Sequence, residues 1–331
     1  MKIRALTLSL AALLLSGACS KSDGPSAEGG RGNNGFPAGY DAGSIYFKAG
    51  GAGIQRFDLS SRTVTGIIPG WPDAGWDISW DGTMGVKEID PVGFETITHY
   101  ILFNTSDGST IKDIEYQAPS GYDGSLPSFS PDGTKLALRP TLNDGLIILD
   151  TDGNILHHIS GYGEGHEFRY LEAFNWMPDG TLLFKKDGGL WRTTSDFSRA
   201  TRIVDIPFDD WRGDCTASPD GTKIALSAGD HIWLMDADGS DFHAVTTSMQ
   251  WEGAPSFSPD GKYIAIKANS RAPLEGDKGK SATSLCIIPA DGQLYDVYPK
   301  NDNRVIHPTE VGKSPSKEGL GMPMVWDFVW R

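Results

Sequence analysis

The sequence predicts an all-β fold: a six-bladed β-propeller of four-stranded antiparallel blades, the last blade closed by strands from both ends of the chain. Three observations predict it. The first is a recurring phrase. Ser130-Pro131-Asp132-Gly133-Thr134-Lys135-Leu136-Ala137-Leu138 returns as Ser218-Pro219-Asp220-Gly221-Thr222-Lys223-Ile224-Ala225-Leu226 and as Ser258-Pro259-Asp260-Gly261-Lys262-Tyr263-Ile264-Ala265-Ile266. Weaker copies begin at Ser79 and Met177. A unit of roughly 40 to 50 residues built from short strands and tight turns is the signature of a propeller blade. The second observation is another turn inside each unit, Asp236-Ala237-Asp238-Gly239, matched by Asp150-Thr151-Asp152-Gly153 and Ala290-Asp291-Gly292. The third is that Trp326-Asp327-Phe328-Val329-Trp330 mirrors Trp76-Asp77-Ile78-Ser79-Trp80.

Taken in order, the chain opens on an export signal. Lys2 and Arg4 form a short basic region, and Ala5 to Leu15 is an apolar run too short to span a bilayer. Leu15-Ser16-Gly17-Ala18-Cys19 resembles a bacterial lipobox, departing from it at Ser16, where leucine is usual. The resemblance implies a signal peptide over 1–18, lipidation of Cys19, and a cell-envelope protein anchored in the outer membrane and facing the periplasm. Residues 19–39 carry the lipidated cysteine and a tether rich in Gly, Ser, Asn and Pro, which buries too little apolar surface to fold. Residues 40–331 form the propeller. Contact with membrane is expected through the lipid alone.

The chain carries a formal charge of −14, and the excess of acids grows when Lys2 and Arg4 leave with the signal. That balance excludes a nucleic-acid partner, which needs a basic surface. Cys215 falls on the innermost strand of its blade and Cys286 on the third strand of the next. The two are expected to be too far apart to bridge and to stay as buried free thiols.

Each unit begins with an inner strand such as Ala254 to Ser258. In the turn that follows, Pro presets the backbone and Gly takes the positive-φ position. A buried second strand, Tyr263 to Lys267, comes next. The third strand is typified by His231-Ile232-Trp233-Leu234-Met235 and the fourth by Phe242 to Thr246. Five units fit between Gly75 and Pro299. The sixth combines the Trp326-to-Trp330 strand with Ser44 to Lys48, Ile54 to Leu59 and Thr63 to Ile68. Such closure leaves no open sheet edge.

The Ser-Pro-Asp-Gly phrase followed by Ile232-Trp233-Leu234-Met235-Asp236-Ala237-Asp238-Gly239 resembles the TolB family of six-bladed propellers, also called WD40-like or PD40 repeats. It covers nearly the whole mature chain and carries the fold over. The α/β domain that precedes the TolB propeller finds no room here, so a role in the Tol-Pal system does not carry over with it.

The two turns of each unit share one face of the ring, which is short, repetitive and acidic. The opposite face holds the irregular connections between blades, where function is expected. These bring Trp71, Tyr122, His166, Phe168, Tyr170, Trp211, Arg212, Trp251 and Glu252 toward one mouth of the central channel. Trp, Tyr and Arg dominate binding hot spots; the competing reading is that such aromatics plug the channel or staple neighbouring blades. Two insertions, Asn269 to Thr283 and Asn301 to Gly321, are expected to add Arg271, Lys278, Lys280, Arg304, His307, Lys313 and Lys317 on the same side. No nucleophile elbow, zinc helix or phosphate loop occurs. The Asp-x-Asp-Gly turns lack the remaining oxygens of a calcium loop. The expectation is a monomeric, non-catalytic protein without cofactor or metal that binds an envelope protein or peptide. A carbohydrate-binding protein is the alternative, and a metal-dependent polysaccharide lyase using His166 stands third.

Overall fold

The computed structural model describes residues 35–70, 75–89, 97–118, 126–141, 145–162, 167–168, 172–269, 283–298, 301–313, 322 and 327–331. Cys19 and the segments 1–18 and 19–34 lie outside them. The chain forms six antiparallel sheets arranged as blades around a central channel. Blade one is β4 (Trp76–Ile78), β5 (Met84–Ile89), β6 (Ile97–Asn104) and β7 (Thr110–Gln117). Blade two is β8 (Pro127–Phe129), β9 (Lys135–Thr141), β10 (Gly145–Asp150) and β11 (Ile155–Ile159). Blade three is β12 (Phe174–Trp176), β13 (Leu182–Lys186), β14 (Gly189–Thr193) and β15 (Ala200–Asp205). Blade four is β16 (Cys215–Ala217), β17 (Lys223–Ala228), β18 (His231–Asp236) and β19 (His243–Ala244). Blade five holds β20 (Glu252–Phe257), β21 (Tyr263–Asn269) and β22 (Thr283–Pro289). Blade six joins β23 (Phe328–Trp330) to β1 (Ser44–Lys48), β2 (Ile54–Asp58) and β3 (Thr63–Ile68).

The repeated phrase folds the same way wherever it occurs. Ser130 donates from Oγ to Asp132 Oδ1 at 2.6 Å, Thr134 N donates to the same carboxylate at 3.1 Å, and Lys135 N donates back to Ser130 Oγ at 2.9 Å. Gly133 sits at φ 68°, a conformation that costs a Cβ-bearing residue more than glycine. Ser218 with Asp220 and Ser258 with Asp260 repeat the Ser-to-Asp bond. Partial burial pushes the Asp132 carboxyl up, but the bonds from Ser130 and Thr134 outweigh it and hold it down at about 2. The turn carboxylates are thus spent on their own turns, as the repeat alone requires.

Apolar side chains pack between blades. Blades one and two share Val86, Tyr100 and Leu102 with Phe129, Leu136 and Leu138. Blades four and five share Ile232 and Leu234 with Ile264, Ile266 and Cys286. Cys215 and Cys286 are buried and unbridged.

The ring closes where the sequence places the closure. Ile45, Tyr46 and Phe47 of β1 pair with Trp330, Val329 and Phe328 of β23. Arg331 then reaches into blade one: Nε donates to Ile78 O at 3.0 Å, and Nη2 lies 3.7 Å from Asp77 Oδ1.

Blade five departs from the four-stranded plan. After the Asp291-Gly292 turn, Tyr295 N donates to Val245 O at 3.0 Å and Thr247 N to Tyr295 O at 2.8 Å. The stretch expected as the fourth strand therefore extends the edge of blade four. Ile306 replaces it on β22, exchanging two backbone bonds with Ile287 at 2.9 and 2.8 Å, while Leu285 N donates to Met322 O. The edge of β22 is covered by parts of the second insertion because its own successor strand is already used. For this reason residues 301–313 do not rise beside the mouth. Arg304 stacks over the Tyr295 ring at 4.4 Å and pairs with Asp302 at 2.7 Å, near the Asp291-Gly292 turn.

His307 is a consequence of that packing. Its Nδ1 lies 3.5 Å from Cys286 Sγ, and its buried Nε2 has no partner among the described residues. Burial lowers its pKa from the ordinary imidazole range to about 4. An imidazole that stays neutral when folded but charges near pH 6.5 when unfolded makes the unfolded state bind more protons between those values. Stability from this group is complete above pH 6.5 and is lost as pH falls toward 4, by about 3 kcal/mol in all. Melting temperature measured across that range should fall more steeply for the native chain than for His307→Asn.

Candidate binding site at the mouth of the central channel

Six three-residue stretches of inner strand form the channel wall, and their middle residues face the channel. These are Asp77, Ser128, Asn175, Thr216, Ser256 and Val329, all of which line one cavity of about 720 Å³. Most of this ring is polar because the middle residues also tie neighbouring blades together. Asp77 Oδ2 accepts from Phe129 N at 2.8 Å, Asn175 Nδ2 donates to Gly213 O at 3.3 Å, and Ser256 Oγ accepts from Trp330 N at 3.1 Å. Burial pushes the Asp77 carboxyl up, while Arg331 and the backbone N–H groups of Phe129 and Ile78 pull it down without cancelling the effect.

A second ring stands nearer the mouth, at one equivalent position of each second strand. It consists of Lys48, Glu88, Arg139, Lys185, Ser227 and Lys267, each two residues beyond the partner of a channel-facing inner-strand residue. Glu88 turns away to accept from Gly75 N at 3.0 Å. Lys185 turns away to donate to the Trp211 carbonyl. Lys48, Arg139, Ser227 and Lys267 remain in the cavity wall. Lys267 pairs with Asp327 at 3.3 Å, and that carboxylate is 92% exposed.

Trp251 is an aromatic of this mouth. It is 38% exposed and lines the cavity. Its position depends on an irregularity in β20, whose register with β21 shifts between Gly253 and Ser256. Ala254 in that bulge adopts φ 52°, a strained conformation for a residue with a Cβ. A Cβ on Gly253 would lie 2.3 Å from the Trp251 ring, so only glycine lets the indole rest against the backbone there.

The remaining residues expected at the mouth are placed as follows. Trp71, Tyr122, His166 and Tyr170 lie outside the described residues. Phe168 packs edge-on to Phe174 at 4.8 Å and to Phe184 at 5.3 Å. Arg212 is exposed. Trp211 is only 1% exposed, in the core between blades three and four, and its Nε1 donates to Asp214 O at 3.3 Å. Its indole fills the space between blades and is closed to a ligand. Glu252 is fully buried, where its carboxylate accepts from Thr246 and lies 3.1 Å from His231 Nδ1. Burial raises its pKa against the bonds from Ser248, Thr246 and His231, and its Oε1 has no partner among the described residues. Alternation explains the difference between neighbours: Trp251 faces the channel, while Glu252 faces the seam with blade four.

Lys48, Arg139 and Lys267 are the site residues that reading for aromatics passed over. A signal existed in the repeat. Arg139, Ser227 and Lys267 each stand seven residues after the turn aspartate, at Asp132, Asp220 and Asp260. Among the described residues no three His, Cys, Asp or Glu side chains are grouped to hold a metal ion.

The chain is a six-bladed β-propeller with a polar channel, a partly basic mouth and an exposed tryptophan at its rim. Its fold is that of the TolB propellers. TolB from Acinetobacter baumannii superposes with a TM-score of 0.57 at 18% identity, covering 88% of this chain and 67% of that one. A structure described as TolB from Agrobacterium tumefaciens superposes with a TM-score of 0.52 at 18% identity, covering 77% and 87%. No protein-family model matches the chain, and no curated protein matches it by sequence.

Proposed function

We propose that this protein is a non-catalytic binding module of the cell envelope, tethered through Cys19, that holds a segment of a partner protein at the mouth of its channel. The observation that carries this reading is Trp251. A tryptophan 38% exposed, laid on a glycine beside a strained bulge, lines a cavity of about 720 Å³ with its free face open to a ligand. Aromatic anchors beside a pocket are the usual centres of binding energy. The TolB likeness supports a propeller of envelope type and leaves the partner open.

Cross-linked affinity purification from the native envelope tests the proposal with two variants. Trp251→Ala should abolish capture of a stoichiometric partner while leaving the melting temperature within a few degrees. Trp211→Ala should instead cost about 3–5 kcal/mol of stability, because it empties a fully packed site. Capture that is indifferent to Trp251→Ala would remove the mouth as the site. A partnerless protein whose tryptophan fluorescence shifts with envelope glycans would favour the carbohydrate reading.

A further inference from the structure

One carboxylate closes the loop that carries Trp251. The loop of residues 247–251 runs from Thr246 at the end of blade four to Glu252 at the start of β20. Glu252 Oε2 accepts from Thr246 Oγ1, so a single side-chain bond joins the two ends of the loop. The same oxygen lies 3.1 Å from His231 Nδ1 on β18. Thr246 Oγ1 also accepts from Ile232 N at 2.8 Å, which ties the junction to blade four. The backbone is clamped beside it: Glu252 N donates to Asp230 O and Asn269 N donates to Trp251 O, both at 2.9 Å. Within the loop, Ser248 Oγ bonds the backbone of Gln250. Met249 at the tip is 99% exposed and so anchors nothing. The pose of Trp251 is therefore set at the base of its loop, where Glu252 is fully buried.

A buried carboxylate is costly unless it is paired. Oε2 has its two partners, whereas Oε1 has none among the described residues. Among those residues, the groups facing the carboxylate are His231 from β18, the hydroxyls of Thr246 and Ser248, and the Cys286 thiol from β22. Burial pushes that thiol up to about 12, so it stays neutral. His307, on the far side of the thiol, is neutral above about pH 4. The counter-charge to Glu252 is thus left to His231, whose side chain is 28% exposed and can exchange its proton with water. Burial also holds the Glu252 carboxyl above its ordinary range, so the folded chain takes up this proton at a higher pH than an exposed glutamate does.

We propose that Glu252 and His231 form a proton-operated latch on the mouth. Ionised, the pair holds the base of the loop closed and keeps the Trp251 indole against Gly253. When Glu252 takes a proton from solvent the ion pair dissolves, His231 turns to water, and the loop and its indole are freed. This rests on the reading of Trp251 as the binding anchor and names its regulation: a partner held at neutral pH is released as pH falls.

The test needs no partner. Acrylamide quenching of Trp251 fluorescence, taken as the difference between the native chain and Trp251→Phe, is measured from pH 5 to pH 8. That range lies above the pH at which His307 charges in the folded chain. We expect quenching to rise in one step as pH falls. Glu252→Gln should lose the step. His231→Gln should move it up by about one pH unit or more, because the carboxylate has lost its counter-charge. His231→Gln decides the matter by itself if Glu252→Gln does not fold. Quenching that stays flat across the range, a step that persists in Glu252→Gln, or an unmoved step in His231→Gln would overturn the latch and leave the binding-module reading standing. Partner capture by Trp251→Ala is a separate measurement, so failure of that reading is not mistaken for failure of this one.

Discussion

Asp77→Ala should lower the melting temperature by on the order of 10 °C. The reason is where Asp77 sits. The residue is 7% exposed, and its two oxygens accept from Ile78 N and Phe129 N, both at 2.8 Å. It also faces the guanidinium of Arg331, whose side chain is 16% exposed. One carboxylate thus joins blade one to blade two and to the closing strand of blade six. Removing it takes the acceptor from two N–H groups and leaves a buried cation without its counter-charge, at about 3–5 kcal/mol. Asp77→Asn keeps an acceptor for Phe129 and should lose less. The double variant Asp77→Ala with Arg331→Ala should be less unstable than the sum of the single losses, since the stranded charge is gone. Thermal unfolding of the four proteins measures this coupling. Simple additivity would show that the two side chains act independently.

Trp330→Ala is expected to cost about 3–5 kcal/mol and to loosen blade six before the others. Trp330 is 1% exposed. Its Nε1 donates to Ala42 O at 2.6 Å, its backbone N donates to Ser256 Oγ at 3.1 Å, and Phe36 packs against its ring at 6.3 Å. The strand that carries it has three residues and joins the two ends of the chain. A strand so short has little backbone pairing of its own, and the tryptophan holds it in place. Hydrogen exchange should therefore accelerate first in β1, β2 and β3, ahead of blades two to four. Uniform acceleration around the ring would mean that closure does not depend on this anchor.

Much of this architecture was legible without coordinates. The Ser-Pro-Asp-Gly phrase specifies a turn through local bonds among its own residues, so the sequence carries the whole instruction. The same holds for β1 and β3, whose bounds follow from apolar runs between glycine-rich breaks. The match of Trp326–Trp330 with Trp76–Trp80 gave the closure, because a repeat that starts at one end and stops at the other has one way to complete itself.

The mouth was less legible. Trp211 and Trp251 have similar surroundings in sequence, yet one is core and the other is exposed at the channel. Which way each indole points depends on the twist of its strand and on Gly253, not on its neighbours in the chain. The edge of blade five was not legible either. Nothing local tells the stretch around Tyr295 to join blade four, or Ile306 to replace it.

The sequence by itself determined the blade, the number of blades, the turn chemistry and the closure, since each depends on contacts within one repeat or on its count. Only the tertiary structure decided that Lys48, Arg139 and Lys267 share a cavity, that Glu252 is buried against His231, and that Arg331 meets Asp77. Those partners come from different blades. Their meeting depends on the curvature of the closed ring, which the pattern of a single repeat does not encode.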